Sequence, residues 1–202
     1  MTDPTGDPGP SRIVLDARAL RALSHPLRVR VLGLLRRNGP STATRLAGQL
    51  DLNSGATSYH LRQLAAAGLV EEDTERGNAR DRWWRAVHRS SSLDDNELAD
   101  SDAGQAYLQS VLASQALLAQ RTVNNLPALR GPWREAFDLS NWGLRLTPEE
   151  AVRLNEELAA VVGRYRSDVP ELRSQAPAGA ERVTLILHQL PEPEPEPEAE
   201  EE

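Results

Sequence analysis

The 202-residue sequence predicts a mainly α-helical protein with one β-hairpin, followed by a smaller α+β region. Apolar residues recur at helical spacing through residues 16–67, and short segments rich in Pro, Gly or Asn interrupt them. Two strand-like runs follow at 69–75 and 82–87. Between them lies Gly77-Asn78, a pair that supplies the positive φ of a hairpin loop. Together these signals predict several short helices and then a hairpin.

Charge separates the chain into two halves with different predicted partners. Residues 12–88 contain 13 arginines and 7 acidic residues, whereas residues 89–202 contain 10 arginines and 21 acidic residues. A basic domain joined to an acidic half is typical of a protein with a nucleic-acid-binding face. The chain has no Cys, which excludes disulfides and thiolate chemistry. It also has no run of about 18 apolar residues and no secretory signal, so we expect a cytoplasmic protein without a membrane partner.

The first elements are an arm and two helices. Residues 1–11 are rich in Pro, Gly and Asp and predict a disordered arm. A short helix is predicted at 16–24, where His25-Pro26 ends it. The second helix is predicted at 26–38, and Gly39-Pro40 ends it.

Two further helices meet at a sharp corner at 51–53. This arrangement is typical of a helix-turn-helix, in which the second helix lies in the DNA major groove. On that second helix, predicted at 54–67, the spacing of Thr57, Leu61 and Leu64 places them on the packed face. The opposite face supplies six candidate DNA contacts: Ser54, Ala56, Ser58, Tyr59, Arg62 and Gln63.

The hairpin after these helices is predicted to be a wing that grips the flanking DNA backbone. Trp83 and Trp84 should point to opposite faces of its second strand. One of them is expected to pack on the helices, and the domain alone leaves the other unexplained. The wing supplies four candidate DNA contacts: Arg76, Asn78, Arg80 and Arg82. A solvated charge run is the alternative for its arginines.

A polar, acidic linker is predicted at 89–102, and a long helix follows at 103–125. The helix has an apolar face wide enough to contact its own domain and a partner helix. We expect it to join two subunits. The residues predicted to mediate dimerisation are Tyr107, Leu108, Val111, Leu112 and Leu118.

The region 103–190 is predicted to be a small α+β unit for dimerisation and effector binding. Alternating apolar residues predict strands at 142–146 and 183–190. A capping box at 147–150 predicts the start of a helix that reaches about residue 165. The inward face of this helix is expected to contain Leu154, Leu158, Val161, Val162 and Tyr165. The Pro/Glu repeat at 191–202 predicts a disordered tail, either solubilising or competing with DNA for the basic face.

Four stretches resemble the ArsR-type winged-helix regulators: LSHPLRVRVLGLL, TRLAGQL, SGATSYHLRQLAAAGLVEE and RWWRAV. The resemblance covers residues 13–88 and is closest to an actinobacterial branch with an extended C-terminal region. It implies a homodimer that binds a short inverted repeat and is usually released by a ligand. The best-known members sense metals through Cys-rich or His/Asp/Glu sites. This chain lacks Cys and shows no evident His pair, so neither a metal site nor a cofactor is expected.

The predicted function is therefore that of a sequence-specific transcriptional regulator, a homodimeric repressor on an inverted-repeat operator. Its predicted partners are double-stranded DNA, a second copy of the chain and a small-molecule effector. Two alternatives stay open: a winged-helix adaptor that binds a partner protein, and a metal-responsive regulator without cysteine ligands. No spacing in the sequence indicates a nucleophile–base or carboxylate pair, so an enzyme is not expected.

Overall fold

The computed structural model describes residues 12–77 and 81–192. The described chain forms two compact units: unit 1 contains residues up to 136 together with 169–174, and unit 2 contains 137–168 together with the residues from 175 onward. The helices of unit 1 are α1 (Ala17–Leu23), α2 (Pro26–Asn38), α3 (Ala43–Leu50), α4 (Ser54–Ala66), α5 (Asn96–Asp100), α6 (Asp102–Asn125) and α7 (Pro132–Glu135). Its strands are β1 (Arg12–Val14), β2 (Ser41–Thr42), β3 (Val70–Glu72), β4 (Trp83–Ala86) and β5 (Ser90–Ser92).

The hydrophobic core of unit 1 lies where α1 to α4 meet the sheet. Its side chains come from the apolar stripe of each helix, because apolar residues that recur about every 3.6 residues all lie on one helix face. Trp84 closes the core from β4, which confirms that one tryptophan of the pair packs on the helices. The most deeply buried core residues are Leu15, Leu20, Leu23, Val31, Leu35, Leu46, Leu61, Leu64, Leu69 and Val70.

The predicted hairpin is present, but it belongs to a three-stranded antiparallel sheet in the order β2-β4-β3. Val70 lies opposite Ala86, and Ser41 lies opposite Trp84. The sequence did not predict β2, since a strand of two residues has no periodicity of its own. Gly77 has no positive φ, so the predicted glycine turn is wrong at this residue, and Asn78 lies outside the described residues.

The segment 89–102 is not the irregular linker that its polar composition predicted. Its first part is β5, which pairs in parallel with β1. Its second part is α5, where Asp95 caps the helix by accepting a hydrogen bond from the Leu98 amide at 3.1 Å. Arg36 of α2 donates to the Ser91 hydroxyl at 2.7 Å, and this bond attaches β5 to the helices. The segment therefore belongs to unit 1.

Unit 2 contains one long helix, α8 (Pro148–Val162), and the predicted capping box is confirmed at its start. The Thr147 hydroxyl accepts from the Glu150 amide at 3.3 Å, and the Glu150 carboxylate accepts from the Thr147 amide at 2.9 Å. The strands predicted at 142–146 and 183–190 are wrong, because neither segment is part of a sheet. An alternating segment becomes a strand only where a neighbour accepts its backbone hydrogen bonds.

The inward face predicted for α8 is also wrong. Leu154 and Leu158 are half-buried, and Val161, Val162 and Tyr165 are exposed. No described residue of unit 2 is buried, so the helix has an amphipathic sequence without a core to cover.

Candidate DNA-binding surface

The corner between α3 and α4 is built from local backbone chemistry. Asp51 ends α3 in the left-handed conformation with φ 58°. The Leu52 amide then donates back to the Ala47 carbonyl at 2.9 Å. Asn53 caps α4 by accepting a hydrogen bond from the Ala56 amide at 2.8 Å. These contacts place α4 directly after α3 at a fixed angle, as a helix-turn-helix requires.

The face of α4 that packs on the domain is the one predicted from residue spacing. Thr57, Leu61 and Leu64 are fully buried, and the Thr57 hydroxyl donates to the Asn53 carbonyl at 3.1 Å. His60 is also buried on this side. The helix is therefore held rigidly, and its remaining face is free to contact a ligand.

The opposite face of α4 exposes most of the predicted DNA contacts. Tyr59 is 52% exposed. Ser54, Arg62 and Gln63 are also exposed, and Ala56 and Ser58 are half-buried. Within residues 12–77 and 81–192, no acidic side chain pairs with Arg62.

The described arginines that were predicted to contact DNA from the wing are, unlike Arg62, paired with carboxylates. Arg82 forms an ion pair with Glu72 of β3 at 3.1 Å, and Arg76 pairs with Asp73 at 3.5 Å. The remaining two wing candidates, Asn78 and Arg80, lie outside the described residues. Part of the positive charge that the sequence assigns to the wing is thus neutralised inside the wing itself.

Arg45, on the exposed side of α3, was not among the predicted contacts. Its guanidinium carbon lies 4.7 Å from the ring centroid of Trp83, which is the geometry of a cation–π contact. This contact accounts for Trp83, the tryptophan that the sequence left unexplained. Two signals in the sequence could have indicated it: an arginine outside the packed face of α3, and an aromatic residue on the outer face of the wing strand.

The comparison with family models agrees with this geometry. Residues 23–73 match a family model described as a helix-turn-helix domain. The solved structure of a possible transcriptional regulator for arsenical resistance is 30% identical over 52% of this chain and 97% of its own, with a TM-score of 0.31. A MarR family regulator from Neisseria meningitidis is 20% identical over 74% of this chain and 75% of its own, with a TM-score of 0.28. The YusO protein from Bacillus subtilis is 14% identical over 73% of this chain and 81% of its own, with a TM-score of 0.32. The comparison with curated proteins gave no match.

The helix-turn-helix match, the wing that follows it and the 30% identity decide the family. The protein is an ArsR-type winged helix-turn-helix regulator. This confirms the predicted family and the predicted winged-helix fold. The regulator is thus a DNA-binding protein that regulates transcription.

The long helix α6 of the regulator packs on α1 and α2 through part of its surface. The Ser110 hydroxyl donates to the Ser24 carbonyl at 3.1 Å, and Tyr107 packs against the core of its own domain. Leu108 and Leu112, one turn apart, are 39% and 48% exposed. The other two predicted dimerisation residues, Val111 and Leu118, are half-buried.

The structure brings together two histidines that looked scattered in the sequence. The rings of His25 and His60 lie 4.8 Å apart between their centroids. The Nδ1 atom of His25 accepts from the Leu27 amide, whereas the buried Nδ1 atom of His60 has no partner among the described residues. Burial lowers the pKa of His60 below its ordinary 6.5, and the positive charges of His25 and Arg28 lower it further.

The described residues contain no group of three or more His, Asp or Glu side chains arranged to hold a metal ion. In the same residues, no helix combines the length and apolar character needed to cross a bilayer.

Proposed function

We propose that the regulator is a cytoplasmic homodimeric repressor that binds an inverted-repeat operator with α4 in the major groove. The observation that carries this proposal is the outward face of α4, where Tyr59, Arg62 and Gln63 are exposed on a helix whose other face is locked in the core. The second helix of a helix-turn-helix presents such residues to base edges.

Each exposed side chain has a defined chemistry toward DNA. The planar guanidinium of Arg62 can donate two hydrogen bonds to O6 and N7 of guanine, and the amide of Gln63 can pair with N6 and N7 of adenine. Ser54 and Ala56 are small, so the first turn of α4 can approach the floor of the groove. Arg62 has the further advantage that no carboxylate of the described residues competes for it.

We expect Arg62→Ala to weaken binding to the operator by about 1–3 kcal/mol and to weaken binding to a random duplex much less, because a base contact is specific. Fluorescence anisotropy with the DNA upstream of the chain's own gene and with a random duplex measures both. Arg18→Ala, which removes one positive charge from α1, is the matched control and should leave the ratio of the two affinities unchanged. An equal loss on both duplexes would make Arg62 a phosphate contact.

Salt dependence tests the proposed mode of binding independently of sequence. If each subunit neutralises roughly four phosphates, the slope of log K against log salt should be about −7, since each phosphate contact contributes about −0.9. A salt-independent affinity, or no binding to either duplex, would instead favour the alternative of a protein-interaction adaptor.

Dimerisation through α6 completes the proposal. If α6 packs against its copy across a two-fold axis, an inverted-repeat operator requires the two copies of α4 to lie about 34–36 Å apart, which is one turn of B-DNA. Support comes from Leu108 and Leu112, which are apolar, adjacent on one helix face and exposed in the single chain.

A further inference from the structure

Arg45 and Trp83 form a stacked pair on the outer surface of the helix-turn-helix, 4.7 Å from guanidinium carbon to ring centroid. The pair connects two elements that are far apart in sequence, α3 and the wing strand β4. Neither residue is explained by the packing of the core: Arg45 is exposed, and Trp83 is only partly covered.

The sheet itself builds this pair. In the register of β2 and β4, Thr42 lies directly opposite Trp83. Thr42 is also the cap of α3, and its hydroxyl accepts from the Arg45 amide at 3.3 Å. Because strand pairing and capping converge on one residue, the ring of Trp83 is held beside the first turn of α3.

Neither the helix dipole nor an ion pair accounts for a cation at this position. The first turn of a helix carries partial positive charge, so an arginine there is electrostatically unfavourable. Arg45 also has no ion pair within the part of the chain that the structure describes. Arg82, directly before β4, and Arg85 within it differ in this respect, since they pair with Glu72 at 3.1 Å and Glu71 at 2.8 Å.

We propose that Arg45 contacts a phosphate of the DNA backbone and that Trp83 is the positioning residue that holds it there. This inference rests on the proposed DNA binding. The first helix of a helix-turn-helix crosses the DNA backbone, and Arg45 is on its exposed side. Stacking on a ring face leaves the in-plane N–H donors of a guanidinium free, and these donors match the geometry of a phosphate. Holding the side chain in place before binding also reduces the conformational entropy lost on binding.

The test uses the full-length protein and a fluorescein-labelled duplex of random sequence, because a phosphate contact acts on any sequence. Arg45→Ala should weaken binding by about tenfold at low salt, and by the same factor on the operator. Losing one phosphate contact per subunit should also make the slope of log K against log salt less steep by about 2. Arg18→Ala controls for the change in net charge and should keep the wild-type slope.

Trp83 is tested through its dependence on Arg45. Trp83→Ala should weaken binding in the wild-type chain and have no further effect in the Arg45→Ala chain, whereas Trp83→Phe, which keeps a ring face, should restore most of the affinity. A merely structural tryptophan would instead lower the urea midpoint of unfolding and weaken binding equally with and without Arg45. That result would overturn its positioning role.

The outcomes separate this inference from the function on which it rests. If the wild-type chain binds neither duplex, the proposed DNA binding fails. If it binds with a steep salt dependence and Arg45→Ala has the wild-type affinity and slope, DNA binding stands and the role of Arg45 is overturned. A lower urea midpoint for Arg45→Ala with an unchanged salt slope would also overturn it, because the arginine would then be structural.

Discussion

His60 is buried on α4, where burial and nearby charges oppose its protonation. Its Nδ1 atom has no hydrogen-bond partner among the described residues. Its ring lies beside those of His25 and Tyr59, and Arg28 acts on it electrostatically. Burial and the two positive neighbours lower its pKa, so the neutral form is the one that fits the folded domain. When the chain unfolds, the ordinary pKa near 6.5 is restored. Stability should therefore depend on pH.

We expect the free energy of unfolding to fall as the pH is lowered from about 8 to about 5, because the unfolded chain takes up a proton that folded His60 resists. The stabilisation is complete above the unfolded pKa of 6.5 and is lost as the pH falls below it. Urea unfolding across this range measures the effect, and above about pH 5 the carboxylates stay ionised.

His60→Leu should reduce this pH dependence, because the leucine fills the buried site without a titrating group. His188→Gln, at an exposed position of unit 2, is the control and should keep the wild-type profile. An unchanged profile in His60→Leu would assign the pH dependence to other groups.

The arginines show what residue counting can and cannot predict. The excess of arginine over acidic residues in 12–88 was evident from composition, and Arg62 is exposed as its position on the helix indicated. The pairing of Arg82 with Glu72 was not predictable, because it depends on the register of β3 and β4. The exposed position of Arg45 on α3 could be read from the sequence, but its contact with Trp83 could not, since only the alignment of β2 with β4 brings the two residues together.

Among the secondary-structure elements, those specified by neighbouring residues were predicted correctly, and those that depend on a partner distant in sequence were missed. The helices α1 to α4 and α6 were predicted because their signals are local, as in α4, where the corner at Asp51 and the stripe of Leu61 and Leu64 lie within a few residues. The strands β2 and β5 were missed, because each has two or three residues and a partner far away in sequence. Polar composition alone made β5 look like a linker.

The α6 helix carries the prediction on oligomeric state. Leu108→Asp with Leu112→Asp places two charges on the exposed apolar face, where a partner helix would have to bury them at high cost. We expect light scattering after size exclusion to give half the wild-type mass. Operator affinity should fall steeply, because one α4 would then bind one half-site alone.

Ala113→Asp is the matched control for α6, since it adds a charge at an exposed position off the Leu108–Leu112 line. This variant should remain dimeric with near wild-type affinity. A dimer that persists in the double leucine variant would place the interface on another surface of the chain.

At the scale of the whole molecule, the two units differ in how many of their apolar side chains are buried. The hydrophobic core lies in unit 1, whereas Trp142 and Tyr165 of unit 2 are each 76% exposed. The alternating segments of unit 2 predicted strands because period-two patterns normally indicate one buried face. Among the described residues no neighbouring strand pairs with them, which is why the α+β prediction failed there. Unit 2 contributes charge more than packing: residues 137–168 and 175–202 contain 14 acidic residues and 5 arginines.

Truncation after Ala136 separates these contributions. It removes unit 2 and only the 169–174 segment of unit 1, so we expect cooperative thermal unfolding close to that of the full chain. DNA affinity at low salt should rise, because the removed residues carry excess negative charge and repel the phosphates. The two affinities should converge at high salt, where the Debye length shrinks to about 3 Å at 1 M.

A chain ending at residue 190 is the control, since a gain equal to that of the long truncation would assign the whole effect to the Pro/Glu tail. Loss of binding in the long truncation would contradict this division and make unit 2 part of the dimer that holds DNA.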